Sequence, residues 1–324
     1  MIITKTPFRV SLCGGGSDLP SFYEKNGGCV ISTSINKYMY ITSHPSFGKK
    51  NTVVKYSKTE SVNNIEKIEH PIFRECLKKE GLEGLEITSI ADVPQGTGLG
   101  SSSSFTVGLI KNLKCYKREY ICNEDLAQAA CKMEIDTLKG TIGKQDQYAA
   151  TFGGLNFYQF NKDGTVFVEP ILMSKNALKR LEENLLLMYV GGEHSASTIL
   201  KQQSKNITVG DKEKGQQKIC ELTIKLKYEL EHDNIDIVGE ILDENWTIKK
   251  TLANGISNSK FDEWYEIALK NGATGGKILG AGGSGFFLFY VPKKNQKKFL
   301  EALSELPEMK FKFDYQGSTV VFVN

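Results

Sequence analysis

The sequence lacks the features of a membrane, zinc or nucleic-acid protein. Its 324 residues contain no run of about 18 apolar residues, which argues against a membrane-spanning helix. Four scattered histidines and seven cysteines without a C-x-x-C pair do not match the usual zinc spacings. The net charge is only +3, so the strong basic footprint of nucleic-acid partners is missing. We therefore expect no membrane and no nucleic acid among the partners.

The beginning of the sequence also lacks the pattern of a secretory leader. Residues 1–16 have neither the apolar core nor the small-residue cleavage site of a signal peptide. The odd number of cysteines fits reduced thiols in the cytosol. We expect a cytoplasmic protein, and a homo-oligomer is compatible with the sequence.

Glycine, in contrast, is abundant. The 31 glycines exceed the average share of about 7%, and many of them cluster in three loops. Hydrophobic residues make up 40% and charged residues 24%, as in a folded protein with a sizeable core. The glycine clusters therefore point to loops of a special shape in an otherwise ordinary globular chain.

Strand and helix patterns along the chain indicate an α+β protein. They predict helices over 66–80, 124–137 and 293–304, one helix after Ser104, and a long helical region with apolar stripes between Ile219 and Ala268. Strands are predicted over 85–91, 154–160, 165–169, 185–190, 274–279, 286–291, 309–314 and 318–323. The pattern changes near Pro170, which predicts two α+β domains, residues 1–170 and 171–324.

The second glycine loop, Pro94–Ser104, is the most informative segment. Gly96, Gly98 and Gly100 alternate, and a run of four serines then opens a helix. A strand-to-helix turn with a serine N-cap needs only one glycine. Three glycines let backbone N–H groups converge on an anion, and the helix N-terminus favours negative charge. The loop thus predicts a phosphate site, although it matches neither the Walker A nor the G-x-G-x-x-G pattern.

The first and third loops are less specific when taken alone. The first, Leu12–Pro20, follows a strand that carries Arg9, and it could equally be a turn in which Asp18 caps the next helix. The third, Gly280–Gly285, lies between two apolar strands and has more glycines than a turn needs. That excess favours a close approach to a ligand.

In this order the three loops resemble the signature of the GHMP kinases. The matching segments are Pro7–Pro20, Pro94–Ser103 and Lys277–Phe286. The resemblance implies a two-domain α+β fold with the active site between the domains. Its N-terminal domain resembles domain 2 of ribosomal protein S5, and its C-terminal domain is ferredoxin-like. It also implies an enzyme that transfers a phosphoryl group from ATP to an alcohol, with Mg²⁺.

The resemblance further implies the site residues. Asp146 stands at the place of the catalytic base, and Arg9 would orient it and offset charge on the transferred phosphoryl group. Because a nearby cation stabilises an ionised carboxylate, Asp146 would act chiefly by orientation. Ser102 and Glu134 would be the Mg²⁺ ligands. The ATP-binding residues would be Pro94, Gly96, Thr97, Gly98, Leu99, Gly100, Ser101, Ser102 and Ser103, and the acceptor-binding residues Gly14, Gly15, Gly16, Ser17, Asp18, Gly282 and Gly283.

Without the resemblance, the two acidic residues have simpler explanations. Asp146 would be a solvated loop carboxylate or a helix cap. Glu134 would be an exposed helix carboxylate paired with Lys132 or Lys139. The family pattern is what gives both residues a chemical role.

Within the family, two segments look most like the D-glycero-D-manno-heptose 7-phosphate kinases. These are the G-G-G-S-D-L-P form of the first loop and the run Gly143–Gln147. Such enzymes phosphorylate the anomeric C1 oxygen in the synthesis of nucleotide-heptoses for surface glycans. In their pattern an arginine stands near the position of His194, so this histidine is a departure that concerns recognition of a distal phosphate.

Other functions remain as alternatives. Fucose kinase domains carry a similar Gly-Gly-x-Ser-Asp segment, so a fucose- or galactose-type kinase is the second hypothesis. A catalytically silent sugar- or nucleotide-sensing protein on the same fold is the third. Glu134, Asp146 and the loop of Ser102 argue against it, because a sensor needs no catalytic carboxylate. A serine hydrolase is excluded because no G-x-S-x-G segment occurs.

Overall fold

The computed structural model describes residues 1–49, 51–191 and 196–324. His194 therefore lies outside the described residues. The strands in the described part are β1 (Ile2–Cys13), β2 (Gly28–Pro45), β3 (Thr52–Lys55), β4 (Thr59–Val62), β5 (Leu85–Ala91), β6 (Leu155–Phe160), β7 (Val166–Pro170), β8 (Leu185–Gly191), β9 (Gly275–Ile278), β10 (Gly285–Tyr290) and β11 (Thr319–Val323). The helices there are α1 (Pro20–Asn26), α2 (Pro71–Glu80), α3 (Ser101–Tyr116), α4 (Asn123–Cys131), α5 (Gln145–Phe152), α6 (Lys175–Asn184), α7 (Ala196–Asn206), α8 (Gly210–Glu231), α9 (Ile237–Leu252), α10 (Ser259–Lys270) and α11 (Gln296–Ala302).

The larger sheet is built around the long strands β1 and β2. Its order is β11-β1-β2-β5-β3-β4, and β6 branches from the first half of β2 and pairs with β7. Helix α3 packs on β1 and β2. The helix can approach β1 closely because Gly108 has no side chain. A Cβ at this position would lie only 2.8 Å from the Thr6 hydroxyl. This packing fixes the start of α3 beside the end of β1 that carries Arg9.

The smaller sheet has the order β8-β10-β9 and is antiparallel. Helix α9 packs against β9, and α8 packs against α9. The side chains of Trp246, Tyr265, Phe287 and Phe289 are buried there and form contacting aromatic pairs. The helical stripes predicted between Ile219 and Ala268 are thus confirmed as the buried faces of α8, α9 and α10.

The strand predicted over 309–314 is wrong. Lys310 and Lys312 alternate with apolar residues as in a strand, but this segment crosses from one sheet to the other. Met309 N donates to the carbonyl of Leu187 in β8, and Asp314 N donates to that of Ser34 in β2. Because it makes only isolated bridges to each sheet, it forms no regular strand.

The helix predicted over 124–137 is interrupted. Helix α4 ends at Cys131, and Lys132–Thr137 forms a π-helical turn. Such turns are frequent at functional sites. Here the turn carries Glu134, which is 4% exposed and points into the protein. None of the described helices combines the length and the apolar character needed to cross a membrane.

Candidate active site

The three glycine loops converge on one cleft of about 220 Å³ between the two sheets. Its wall contains predicted residues from both halves of the chain: Arg9, Gly15, Gly16, Asp18, Gly96, Gly98, Gly100, Ser101, Ser102, Ser103, Glu134, Asp146 and Gly282. The structure does not bring every predicted residue to the wall. Those that do not line the cleft are Gly14, Ser17, Pro94, Thr97, Leu99 and Gly283.

The second loop has the backbone of an anion site. Gly96, Gly98 and Gly100 have φ values of 77°, 78° and 76°, which glycine adopts readily. Helix α3 begins at Ser101, and its N-cap residue Gly100 supplies no side-chain cap. The first N–H groups of the helix therefore stay available, and its dipole favours a bound phosphate.

The second and third loops pack backbone against backbone. A Cβ at Gly98 would lie 2.6 Å from the carbonyl oxygen of Leu279, and one at Gly280 would lie 2.6 Å from Cα of Gly98. A Cβ at Gly285 would lie 2.2 Å from the carbonyl oxygen of Thr97. Glycine is required at these positions because any side chain would push the two loops apart.

Asp146 forms a bidentate ion pair with Arg9 next to the second loop. Arg9 Nε donates to Oδ1 at 2.7 Å and Nη2 donates to Oδ2 at 2.8 Å. Arg9 Nη1 also donates to the Gly98 carbonyl. A Cβ at Gly100 would lie 3.2 Å from the Asp146 carboxylate. The carboxylate is thus fixed in orientation within contact distance of the loop that resembles a phosphate site.

Glu134 and Ser102 present adjacent hard oxygen atoms. Ser102 Oγ donates to Glu134 Oε1 at 3.0 Å, and Gln147 Nε2 donates to Oε2 at 2.6 Å. Burial raises the pKa of Glu134, while hydrogen bonds from Ser103, Gln147 and Ser102 oppose this rise. Carboxylate and hydroxyl oxygens suit Mg²⁺, whose coordination shell is commonly completed by waters and substrate phosphates. The donors fit that ion, although the described residues contain no cluster of three His, Cys, Asp or Glu.

Asp18 of the first loop faces the cleft and also connects this loop to the start of α5. Its Oδ1 accepts from Gly16 N at 3.0 Å, and its Oδ2 accepts from Gln145 N at 3.2 Å. Burial raises the pKa of Asp18, and the charge of Asp146 raises it further. Asp18 therefore ties the first loop to the start of α5, where Asp146 lies.

Three predicted acceptor-binding residues have other contacts. Ser17 Oγ lies 2.8 Å from the carbonyl oxygen of Gly14 and 2.9 Å from that of Cys29, so its one O–H is used within the loop. A Cβ at Gly14 would lie 2.1 Å from the Cys29 carbonyl oxygen. Gly283 N donates to the Ile256 carbonyl oxygen at 3.1 Å. These groups hold the shape of their loops.

The prediction missed two residues of the site, Gln147, which is buried against Glu134, and Lys249, which lines the cleft. Gln147 lies in the segment Gly143–Gln147 named in the sequence analysis. Its hydrogen bond to Glu134 could not be predicted, because it depends on the π-helical turn that carries Glu134. Lys249 lines the cleft from α9, and its signal was a lysine on the buried stripe that includes Leu242 and Leu252. Burial lowers the pKa of Lys249 well below 10.5, and the charges of Lys277 and Arg9 lower it further.

Comparisons with known proteins agree with this arrangement. Family models match at residues 64–154 (GHMP kinases N terminal domain) and 226–308 (GHMP kinases C terminal). The chain is 30% identical over 316 residues to the D-glycero-alpha-D-manno-heptose 7-phosphate kinase of Campylobacter jejuni, covering 93% of both chains. It is 26% identical to the bifunctional fucokinase/GDP-fucose pyrophosphorylase of Arabidopsis thaliana, with 93% of this chain matching 31% of that protein. A crystal structure of a D-glycero-D-manno-heptose 1-phosphate kinase from Bacteroides thetaiotaomicron shares the fold, with a TM-score of 0.82, 24% identity and full coverage of both chains.

Proposed function

The chain belongs to the GHMP kinase family and is a kinase with an alcohol acceptor, and we propose that it uses ATP and Mg²⁺ to phosphorylate the C1 hydroxyl of D-glycero-D-manno-heptose 7-phosphate. The product would be the 1,7-bisphosphate, a precursor of nucleotide-heptoses for surface glycans. The observation that carries the kinase chemistry is the ion pair of Asp146 and Arg9 beside the second loop.

The arrangement supports phosphoryl transfer by positioning. Such reactions need the donor and the acceptor in line and the charge of the phosphates offset. We propose that the N–H groups at the start of α3 hold the nucleotide phosphates. Ser102 and Glu134 are the residues that would hold Mg²⁺, whose charge offsets that of these phosphates.

We assign Asp146 to the acceptor hydroxyl. Its carboxylate is held by the planar guanidinium of Arg9, so it cannot rotate freely. In that position it would accept a hydrogen bond from the C1 hydroxyl and aim its oxygen at the terminal phosphate. Because Arg9 holds both carboxylate oxygens, we propose orientation as the main contribution of Asp146 and proton acceptance as the smaller one.

The heptose assignment rests on two observations. The first loop and the run Gly143–Gln147 have the form described above, and the Campylobacter jejuni relative, which is named as a heptose 7-phosphate kinase, matches along nearly the whole chain. The match to a fucokinase favours a fucose-type kinase as the second candidate. An assay can separate the substrates of the two candidates by their phosphate. The heptose substrate already carries a phosphate, and free fucose and galactose do not.

A panel of acceptors separates these candidates. The protein would be assayed with ATP and Mg²⁺ on D-glycero-D-manno-heptose 7-phosphate, the unphosphorylated heptose, fucose and galactose. We expect turnover on the heptose 7-phosphate, with a new C1 phosphate visible by phosphorus NMR, and loss of turnover in EDTA. Turnover only on unphosphorylated sugars would reject the heptose 7-phosphate assignment in favour of the second candidate.

A further inference from the structure

Lys249 is a buried lysine that faces the cleft. It lies on α9, is 5% exposed and contributes to the cleft wall. Its Nζ donates to the carbonyl oxygens of Ile278 at 2.9 Å and of Gly280 at 2.6 Å. An ammonium group has three N–H donors, so these two carbonyls leave one donor unused.

Within the described residues, the charged groups around Lys249 leave it without an acidic partner. Arg9 on β1 is engaged by Asp146 and the Gly98 carbonyl. Lys277 on β9 donates to the carbonyl of Leu12 and to the amide oxygen of Asn245, and it does not line the cleft. The other charged residues that line the cleft are Asp18, Glu134 and Asp146. Among residues 1–49, 51–191 and 196–324, no carboxylate lies within 4.0 Å of Lys249 Nζ.

A lysine in this setting is costly unless an anion compensates it. Burying a cation without a counter-charge is strongly unfavourable. The third loop, whose Gly280 carbonyl accepts a hydrogen bond from Lys249, packs directly on the second loop at Gly98 and Gly280. This cation, which has no carboxylate partner in the part of the chain that the structure describes, is therefore next to the loop that resembles a phosphate site.

We propose that Lys249 contacts a phosphate group in this cleft: the N–H that Ile278 and Gly280 leave unused donates to a phosphate oxygen of a bound substrate. The inference rests on the proposed function, because it requires a phosphate-bearing ligand in the cleft. Two sources have this chemistry, the terminal phosphate of the nucleotide and the phosphate ester of the sugar. Lys249 would bind the phosphate and, through its two carbonyl contacts, hold the third loop against the second.

Binding measurements on Lys249→Met and Lys249→Arg test the contact. Calorimetry would give the affinity for AMP-PNP against ADP, and for the heptose 7-phosphate against the unphosphorylated heptose. We expect Lys249→Met to weaken binding by about ten- to a hundredfold, as for the loss of a charge-assisted hydrogen bond, only for the ligand that carries the contacted phosphate. Lys249→Arg should recover part of this loss because it keeps the charge. Lys250→Met is the matched control, since Lys250 is the next residue on α9 and pairs with Asp262 instead.

The two ligand pairs show which phosphate Lys249 contacts and which results would overturn the proposal. Weakening of AMP-PNP but not ADP assigns the contact to the terminal phosphate, and weakening of the phosphorylated heptose alone assigns it to the sugar. Equal weakening of all four ligands, or none, overturns the proposal. Parent protein that binds AMP-PNP but no heptose 7-phosphate rejects the substrate assignment, while the nucleotide pair still decides the role of Lys249.

Discussion

At the residue scale, the carboxylate of Asp146 is defined by what holds it. Both oxygens accept from Arg9, and the side chain lies against Gly100 of the second loop. An asparagine is nearly the same size but offers one oxygen and one NH₂ group, so it cannot accept both hydrogen bonds. The change therefore removes the charge and the orientation and leaves the loops in place.

We expect Asp146→Asn to lower kcat by about a hundredfold or more, the scale for losing a positioned acid or base group. The affinity for AMP-PNP should change little, because the proposed nucleotide contacts come from the backbone at the start of α3. Steady-state kinetics and calorimetry measure the two quantities separately. Asp211→Asn is the control, since Asp211 is fully exposed and should tolerate the change. Equal kcat in Asp146→Asn and the parent would reject the assignment.

The same scale shows what the sequence could predict. Arg9, Ser102 and Asp146 belong to recognisable segments, the family pattern adds Glu134, and the structure brings all four to one cleft. Lys249 does not belong to such a segment. Its partners lie 29 and 31 positions away, so its position on a buried helical stripe indicated an unusual lysine but not what it contacts.

At the scale of elements, irregular segments carry the errors of the sequence prediction. Apolar periodicity located α3, β5 and the stripes of α8 to α10, because each buries one face. It could not show the π-helical turn at Lys132–Thr137, since local hydrogen bonding, not burial, distinguishes it from an α-helix. It also placed a strand over 309–314, because an extended crossing between two sheets has the same alternation as a strand.

The contact between the second and third loops gives a prediction from two matched glycines. Gly96 and Gly98 have nearly equal φ values, but a Cβ at Gly96 would meet nothing within 4 Å. A Cβ at Gly98 would meet the Leu279 backbone at 2.6 Å. Alanine at either position costs about 1 kcal/mol or more for the left-handed backbone. Only Gly98→Ala should also separate the loops.

We therefore expect Gly98→Ala to lower AMP-PNP affinity at least about tenfold and to unfold at a lower temperature than Gly96→Ala, since a misplaced loop loses several backbone donors at once. Calorimetry and thermal unfolding by circular dichroism would measure both effects. If the two variants were equally affected, backbone strain alone would explain the result, and the loop contact would have no separate role.

At the scale of the whole molecule, the chain does not divide cleanly along its length. The division into residues 1–170 and 171–324 remains our proposal for the two domains. The last strand, β11, nevertheless pairs with β1 of the larger sheet, from Ile2 with Val323 to Lys5 with Thr319. The end of the chain therefore completes the sheet on which the start of the chain depends.

Removal of Thr319–Asn324 would expose the edge of β1. The lost strand pairing is worth on the order of 2–4 kcal/mol, at about 1 kcal/mol for each net hydrogen bond. For a protein of this size we expect the Tm to fall by about 3–6 °C. The free edge of β1 should also promote aggregation, because unpaired strand edges pair with other chains.

Thermal unfolding and light scattering would measure both effects against the full chain. Deletion of Asn324 alone is the graded comparison, since it removes only the two backbone hydrogen bonds that Asn324 exchanges with Met1 and should lower the Tm less than removal of the whole strand. At temperatures where the truncated protein is still folded, we expect its kcat to stay within about threefold of the parent, because Arg9 lies four residues past the last β1 residue that pairs with β11. An unchanged Tm would mean that β11 contributes nothing to the larger sheet, and the proposed domain boundary would then describe two self-sufficient halves.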